Sequence, residues 1–183
     1  RLDSSEAAGW AACASPKAYL SLSDGPHKFE VRAIDLAGNV DPTPAVFSWN
    51  IDTTGPNTQI DSHPAALSAS ASTAFAFSGS DGSGSGVASF QCRRDSSEPS
   101  GWVACASPQA YASLADGHHE FEVRAIDQAG NVDQSPAVFS WSIDTTAPQT
   151  QVDNGPQALS ATSAAAFAFS GSFVFFLGSG DAV

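Results

Sequence analysis

The sequence predicts an all-β chain of tandem β-sandwich domains, one complete and two partial. Three observations predict it. Residues 10–80 recur as residues 102–172, an offset of 92, with roughly three-quarters of the aligned positions identical. Short runs alternate apolar and polar side chains with the period of two that a half-buried strand imposes, and no window sustains a helical period. Clusters of Gly, Pro, Asn, Asp and Ser interrupt those runs about every 8 to 12 residues, the spacing of short strands in a sandwich.

Cys13 recurs as Cys105, Asp35 as Asp127, Trp49 as Trp141 and Phe75 as Phe167. Whatever the chain does, it does once per copy, which suits stalks, spacers and multivalent binders better than enzymes. Residues 1–55 read as the C-terminal part of one repeat, 56–148 as a complete repeat, 149–172 as the N-terminal strands of a third, and 173–183 as a divergent tail. Arg1 aligns with Arg93, so the counterpart of Cys92 would precede Arg1, leaving Cys13 unpaired. Gly171 and Ser172 still track Gly79 and Ser80, but Phe173, Val174 and Phe175 stand where Asp81, Gly82 and Ser83 stood. With no Met in the chain, the expectation is a fragment of a longer array, with arbitrary boundaries.

Within the middle copy, Phe75 and Phe77 alternate with Ala74, Ala76 and Ser78, and residues 89–92 form a second short run. His119, Phe121, Val123 and Ala125 share one face of a longer strand, with Glu120, Glu122 and Arg124 on the other. Phe139, Trp141 and Ile143 alternate with Val138, Ser140 and Ser142 in a last strand that runs to Asp144. Between them lie turn residues at 82–86, 99–101, 107–108, 116–117 and 129–131. Each copy closes on Ile-Asp-Thr-Thr and a proline, Pro56 or Pro148, which lacks an amide hydrogen, ends ladder pairing and stiffens the step into the next copy. About seven short strands in about 90 residues read as an immunoglobulin-like β-sandwich.

Phe90, Gln91 and Cys92, then residues 102–108 from Trp102 through Cys105 to Pro108, then residues 114–133 from Leu114 through Asp127, Gly130 and Asn131 to Asp133, then Trp141 to Asp144, together carry a resemblance. The pattern resembles the bacterial immunoglobulin-like repeat of large extracellular and cell-surface proteins, over nearly all the chain except its last 11 residues. It is more loosely similar to fibronectin type III domains, with Phe121 near where those often place a tyrosine. The resemblance implies an extracellular or cell-surface location and a building unit of stalks, adhesins or appendages of secreted enzymes, without naming one role.

The formal charge is −12. Such a surface repels nucleic acid and anionic lipid, since both need basic residues to neutralise phosphate. It attracts divalent cations, and it also keeps a long secreted array soluble. No apolar run approaches the roughly 18 residues of a membrane helix, so no membrane insertion is expected in this segment.

Cys92 and Cys105 enclose a loop containing Pro99 and Gly101, suited to bridging neighbouring strands, and a disulfide between them is expected. It implies an oxidising compartment. Two buried free thiols are the alternative, and zinc is disfavoured because no second cysteine pair exists.

Asp127, Gly130, Asn131 and Asp133, matched by Asp35, Gly38, Asn39 and Asp41, read first as a tight hairpin whose Gly-Asn core takes positive φ. A second reading adds the linker residues Asp144 and Asp52. Asp127, Asn131, Asp133 and Asp144 in one copy, and Asp35, Asn39, Asp41 and Asp52 in the other, then offer oxygens to Ca²⁺, which would stiffen the junction between copies. No organic cofactor motif is present. Residues 81–86, with one carboxylate, read as a flexible connector.

His27 and His119 occupy the same register and read as hydrogen-bonded histidines at the start of a strand. Trp10, Trp49, Trp102 and Trp141 read as core residues. No serine lies in a nucleophile elbow, no phosphate loop is present, and a small sandwich filled by its own side chains offers no cleft for a carboxylate pair, so no enzyme activity is expected.

Two functions follow. The repeats are a structural spacer, non-catalytic and stiffened at the junctions, with adjacent repeats as partners; or they are multivalent adhesion modules for a surface glycan or protein, whose avidity grows with number. Late strands at one end and early strands at the other also allow head-to-tail self-association by strand donation, with residues 173–177 as an extra apolar strand.

Overall fold

The computed structural model describes residues 1–158, 161 and 163–172; the divergent tail, with its expected apolar strand at 173–177, lies outside them. The described chain is built of β-strands with two three-residue 3₁₀ turns, Ala7–Gly9 and Pro99–Gly101. In chain order the strands are β1 (Gly25–Val31), β2 (Ala45–Ile51), β3 (Asn57–Ser62), β4 (Leu67–Ser68), β5 (Thr73–Ser80) and β6 (Val87–Arg94). There follow β7 (Val103–Cys105), β8 (Gln109–Tyr111), β9 (Gly117–Asp127), β10 (Ala137–Ile143), β11 (Gln149–Asn154) and β12 (Ala168–Ser172). No described helix is long and apolar enough to cross a membrane.

The middle copy folds as two sheets, β4-β10-β9-β6-β7 and β3-β5-β8. The alternation read from the sequence sets their inner faces. Phe75 and Phe77 of β5 face Phe121 and Val123 of β9 and Trp141 and Ile143 of β10, all at 4% exposure or less. Phe75 is the hub, with its ring centroid 4.2 Å from that of Phe121 and 5.1 Å from that of Trp141. Each such side chain contributes about 1.5–3 kcal/mol through burial, so this cluster is what holds the two sheets face to face. A polar stitch crosses between the sheets: the Ala125 amide donates to Thr58 Oγ1 at 2.8 Å.

Two local expectations change. Eight strands, rather than about seven, fall within residues 57–143, because β4, two residues long, leaves the β3 sheet to pair parallel with β10. Strands β9 and β10 are not joined by a tight hairpin. Residues 128–136 intervene, held by a bridge between Ile126 and Val132, and only Gly130 takes positive φ, at 95°.

The flanking copies repeat parts of this plan. Strand β1 pairs β2 with His27 opposite Trp49, as His119 lies opposite Trp141 in β9 and β10. Strand β11 pairs β12 as β3 pairs β5, down to the same register shift.

Candidate functional site

The site lies where the first copy's linker meets the middle copy. Residues 81–86, expected to be flexible, are an ordered loop. Asp81 folds over it, its carbonyl taking the Gly84 amide at 2.7 Å and its Oδ2 the Gly86 amide at 2.7 Å. The loop is tied to the β9 end by Gln128 donating to the Gly86 carbonyl at 2.9 Å and Ala129 donating to Ser85 Oγ at 3.1 Å.

Asp52, from the linker, enters this frame. The Ser85 amide donates to Asp52 Oδ2 at 2.6 Å, and Asn131 Nδ2 donates to the Asp52 carbonyl at 3.0 Å. The same Asn131 donates its amide and its Nδ2 to the buried Asp127 carboxylate, at 2.7 and 2.8 Å. Asn131 therefore serves as the clasp between linker and loop rather than as a positive-φ turn residue. Hydrogen bonds from Ser85, side chain and backbone, hold the Asp52 carboxyl below the usual carboxylate range.

One carboxylate oxygen each from Asp52, Asp81 and Asp127 lie within 4.8 Å of one another. Oxygens coordinated to one Ca²⁺ at about 2.3–2.6 Å can be no more than about 5 Å apart, so the spacing fits that ion. Asp81 Oδ1 is buried with no hydrogen-bond partner. An all-oxygen, three-carboxylate set with an unsatisfied buried acceptor suits a hard divalent cation.

This grouping differs from the sets read from sequence. Asp144 does not join Asp127. Its neighbour Ile143 lies opposite Gly117, at the far end of β9, where the Asp144 amide donates to the Ser68 carbonyl at 3.0 Å and its Oδ1 takes the Thr146 amide at 3.0 Å. Strands β9 and β10 run antiparallel, so Asp144 sits away from its own copy's loop, and it is Asp52 of the preceding linker that stands at the middle copy's loop. Asp133 is 3% exposed and its Oδ1 takes the Ser135 amide and hydroxyl, at 2.8 and 3.0 Å. In the first copy, Asp35 binds the Asn39 amide and side chain, both at 2.8 Å, and Asp41 binds the Thr43 amide at 2.8 Å. Asp35, Asn39 and Asp41 are thus occupied as local loop caps. The sequence does not mark Asp81, because a lone carboxylate among Gly and Ser carries no ligand spacing.

Cys92 and Cys105 are joined, with Cα atoms 5.8 Å apart on the paired strands β6 and β7. Cys13 is a free, exposed thiol. His119 is 8% exposed, its Nδ1 2.9 Å from Asp95 Oδ2, its Nε2 2.9 Å from the Ala115 carbonyl, and its ring beside Trp141. Those bonds, from Ala115 first and Asp95 second, raise its pKa. Trp102 is not in the core. Its ring is stacked between the guanidinium groups of Arg93 and Arg124, 4.7 and 4.2 Å from the centroid, and Arg93 is itself forked onto Glu122 at 2.6 and 2.7 Å. Trp10 is held in the same way by Arg1 and Arg32.

No family model matches the chain, and no curated protein matches it. Among solved structures, the chain is similar to a protein described as a Ca²⁺-stabilized adhesin that helps an Antarctic bacterium reach out and bind ice. The two are 18% identical, the match covers 71% of this chain and 35% of that one, and the TM-score is 0.30. The chain spans about a third of the length of that structure.

Proposed function

We propose that the chain is a run of tandem immunoglobulin-like repeats acting as a non-catalytic structural spacer in a large secreted or cell-surface protein. The observation that carries this reading is the anchored linker. A flexible tether would leave Asp52 to solvent, whereas here Ser85 and Asn131 of the following copy hold both its side chain and its backbone. Hydrogen bonds at both ends of one residue fix the angle at which one repeat meets the next, which a spacer needs and a flexible string of binding modules does not. The disulfide between Cys92 and Cys105 supports an oxidising, extracellular setting.

Asp52, Asp81 and Asp127 are the residues that would hold Ca²⁺ at this junction. The ion would supply charge neutralisation for three carboxylates brought together, and the chain's own part is to pre-position them through Ser85, Gly86 and Asn131.

Small-angle scattering of the whole chain tests the spacer: the maximum dimension should stay narrow in the parent and broaden in Asn131→Ala. Calorimetry with Ca²⁺ tests the ion: binding should be lost in Asp81→Asn, and absence of heat in the parent would remove calcium while leaving the anchored linker. Specific binding of the chain on a glycan array would favour the adhesive function over the spacer.

A further inference from the structure

The chain holds five asparagines, and four of them are followed by a β-branched residue: Val40 after Asn39, Ile51 after Asn50, Thr58 after Asn57 and Val132 after Asn131. Branching at Cβ crowds the amide nitrogen that follows each of these side chains. Asn39 and Asn131 are further held by their loop aspartates, Nδ2 donating to Asp35 and to Asp127 at 2.8 Å in each copy. Asn50 and Asn57 lie within strands β2 and β3. Asn154 is the exception, because Gly155 follows it.

Asn154 ends β11 opposite Ala168, just after the register shift that follows Val152. Gly155 stands beyond that last ladder pair, and both residues are exposed. The Gly155 amide donates to the Asn154 side chain itself, 2.9 Å from Oδ1. Its nitrogen therefore lies within about 4.1 Å of Cγ, which is one carbonyl bond further on. The side chain is folded back onto the backbone atom with which it can close a five-membered ring. The exposure is a property of the repeat, since Ser62 and His63 at the same place in the complete copy are exposed as well.

We propose that Asn154 is a site of spontaneous modification by water, independent of the spacer reading. Solvent base takes the proton from the Gly155 amide, the nitrogen attacks Cγ of Asn154, and the bond from Cγ to Nδ2 breaks to release ammonia. Water then opens the resulting succinimide at one carbonyl or the other, giving an aspartyl or an isoaspartyl residue. One water is consumed and one ammonia released, with no change of oxidation state. Either product places a new carboxylate beside Asp153, whose Oδ1 already accepts from Gln151 and Ser170, and leaves the chain one unit more negative than −12. The isoaspartyl product also lengthens the main chain by one atom where β11 ends. The complete copy has no such conversion at this position, since Ser62 carries no amide side chain. The third copy thus acquires with time a charge that the middle copy lacks.

Peptide mass spectrometry of the 183-residue chain during incubation in buffer tests it. Exchange of amide for acid should appear at position 154 first, with isoaspartate detected by enzymatic methylation. The rate should climb with pH, because the attacking nitrogen must lose a proton. The folded chain should convert no more slowly than the chain in urea, since Gly155 lies outside the β11–β12 ladder. Asn154→Gln should abolish the reaction, because the longer side chain would have to close a six-membered ring. Gly155→Ala should slow it at least about threefold, since Ala has less backbone freedom than Gly. The added Cβ would lie 3.1 Å from Cδ1 of Phe167, an exposed ring that can swing aside, and an unaltered melting transition of the middle copy verifies the fold. Conversion at position 154 no faster than at Asn39 or Asn131, conversion slower in the folded chain than in urea, or a rate indifferent to pH would each overturn the proposal.

Discussion

A Cβ atom on Gly55 would lie 2.7 Å from the carbonyl oxygen of Val132. The linker therefore passes the Ile126–Val132 bridge with no room for a methyl group, and this close approach is what lets Asp52 reach Ser85 and Asn131. The equivalent residue of the next linker is Ala147. The methyl group that Ala147 carries at that position would not fit against Val132 in the seat that Gly55 occupies.

Gly55→Ala is accordingly expected to weaken that junction by about 1–2 kcal/mol, since the clash is with backbone that cannot rotate away. Hydrogen exchange at the Ser85 amide should quicken roughly tenfold while Phe121 and Val123 keep their protection. Unchanged exchange at Ser85 would contradict the close packing.

Identical substitutions in two copies should have unequal consequences. Phe75→Ala removes the hub of a packed core and should cost about 3–5 kcal/mol in urea unfolding. Phe167→Ala, at a residue 62% exposed, should leave the unfolding of a dilute solution unaltered. Equal losses would mean that the outer copy packs as the middle one does.

Replacing both Cys92 and Cys105 by Ser should lower the stability of the middle copy by about 3 kcal/mol, the chain-entropy cost of releasing a loop of this length. The measurement is the urea midpoint with and without reductant. Reductant should shift the parent and leave the double variant where it was.

His119 sets a pH dependence with a definite sign. The Ala115 carbonyl and the Asp95 carboxylate both accept from its ring, favouring the protonated form and raising its folded pKa. Its contribution is then fully present below the unfolded value of about 6.5 and is lost as pH rises through the folded value. The melting temperature of the parent should exceed that of Asp95→Asn by a margin that shrinks from pH 6 to pH 9. A margin that grows with pH would rule out this assignment.

The alternation of Phe75 with Phe77 and of Phe121 with Val123 was legible because strand periodicity is local: neighbouring side chains point to opposite faces wherever the strand sits. The repeat was equally plain, and with it the register shared by His27 and His119. Trp102 reads as core in the sequence because an aromatic beside a cysteine pair looks apolar in one dimension. Its position depends on β6 lying beside β9, which brings Arg93 and Arg124 to either side of it across 31 residues of chain. The loop at Asp81 reads as a flexible connector for the same reason, since its ordering comes from Asp52, Gln128 and Ala129.

By itself the sequence determined the longer strands of the middle copy, their inward faces and the 92-residue period, since these follow from backbone geometry and side-chain type over a few residues. Only the tertiary structure decided which aspartates meet. Asp144 belongs by sequence to the copy of Asp127, yet antiparallel pairing carries it to the far end of β9, and Asp52, 75 positions before Asp127, arrives instead beside Asp81. The physical reason is that strand direction and sheet order are set by the shared burial of one core, a property of the packed whole that no local run of residues encodes.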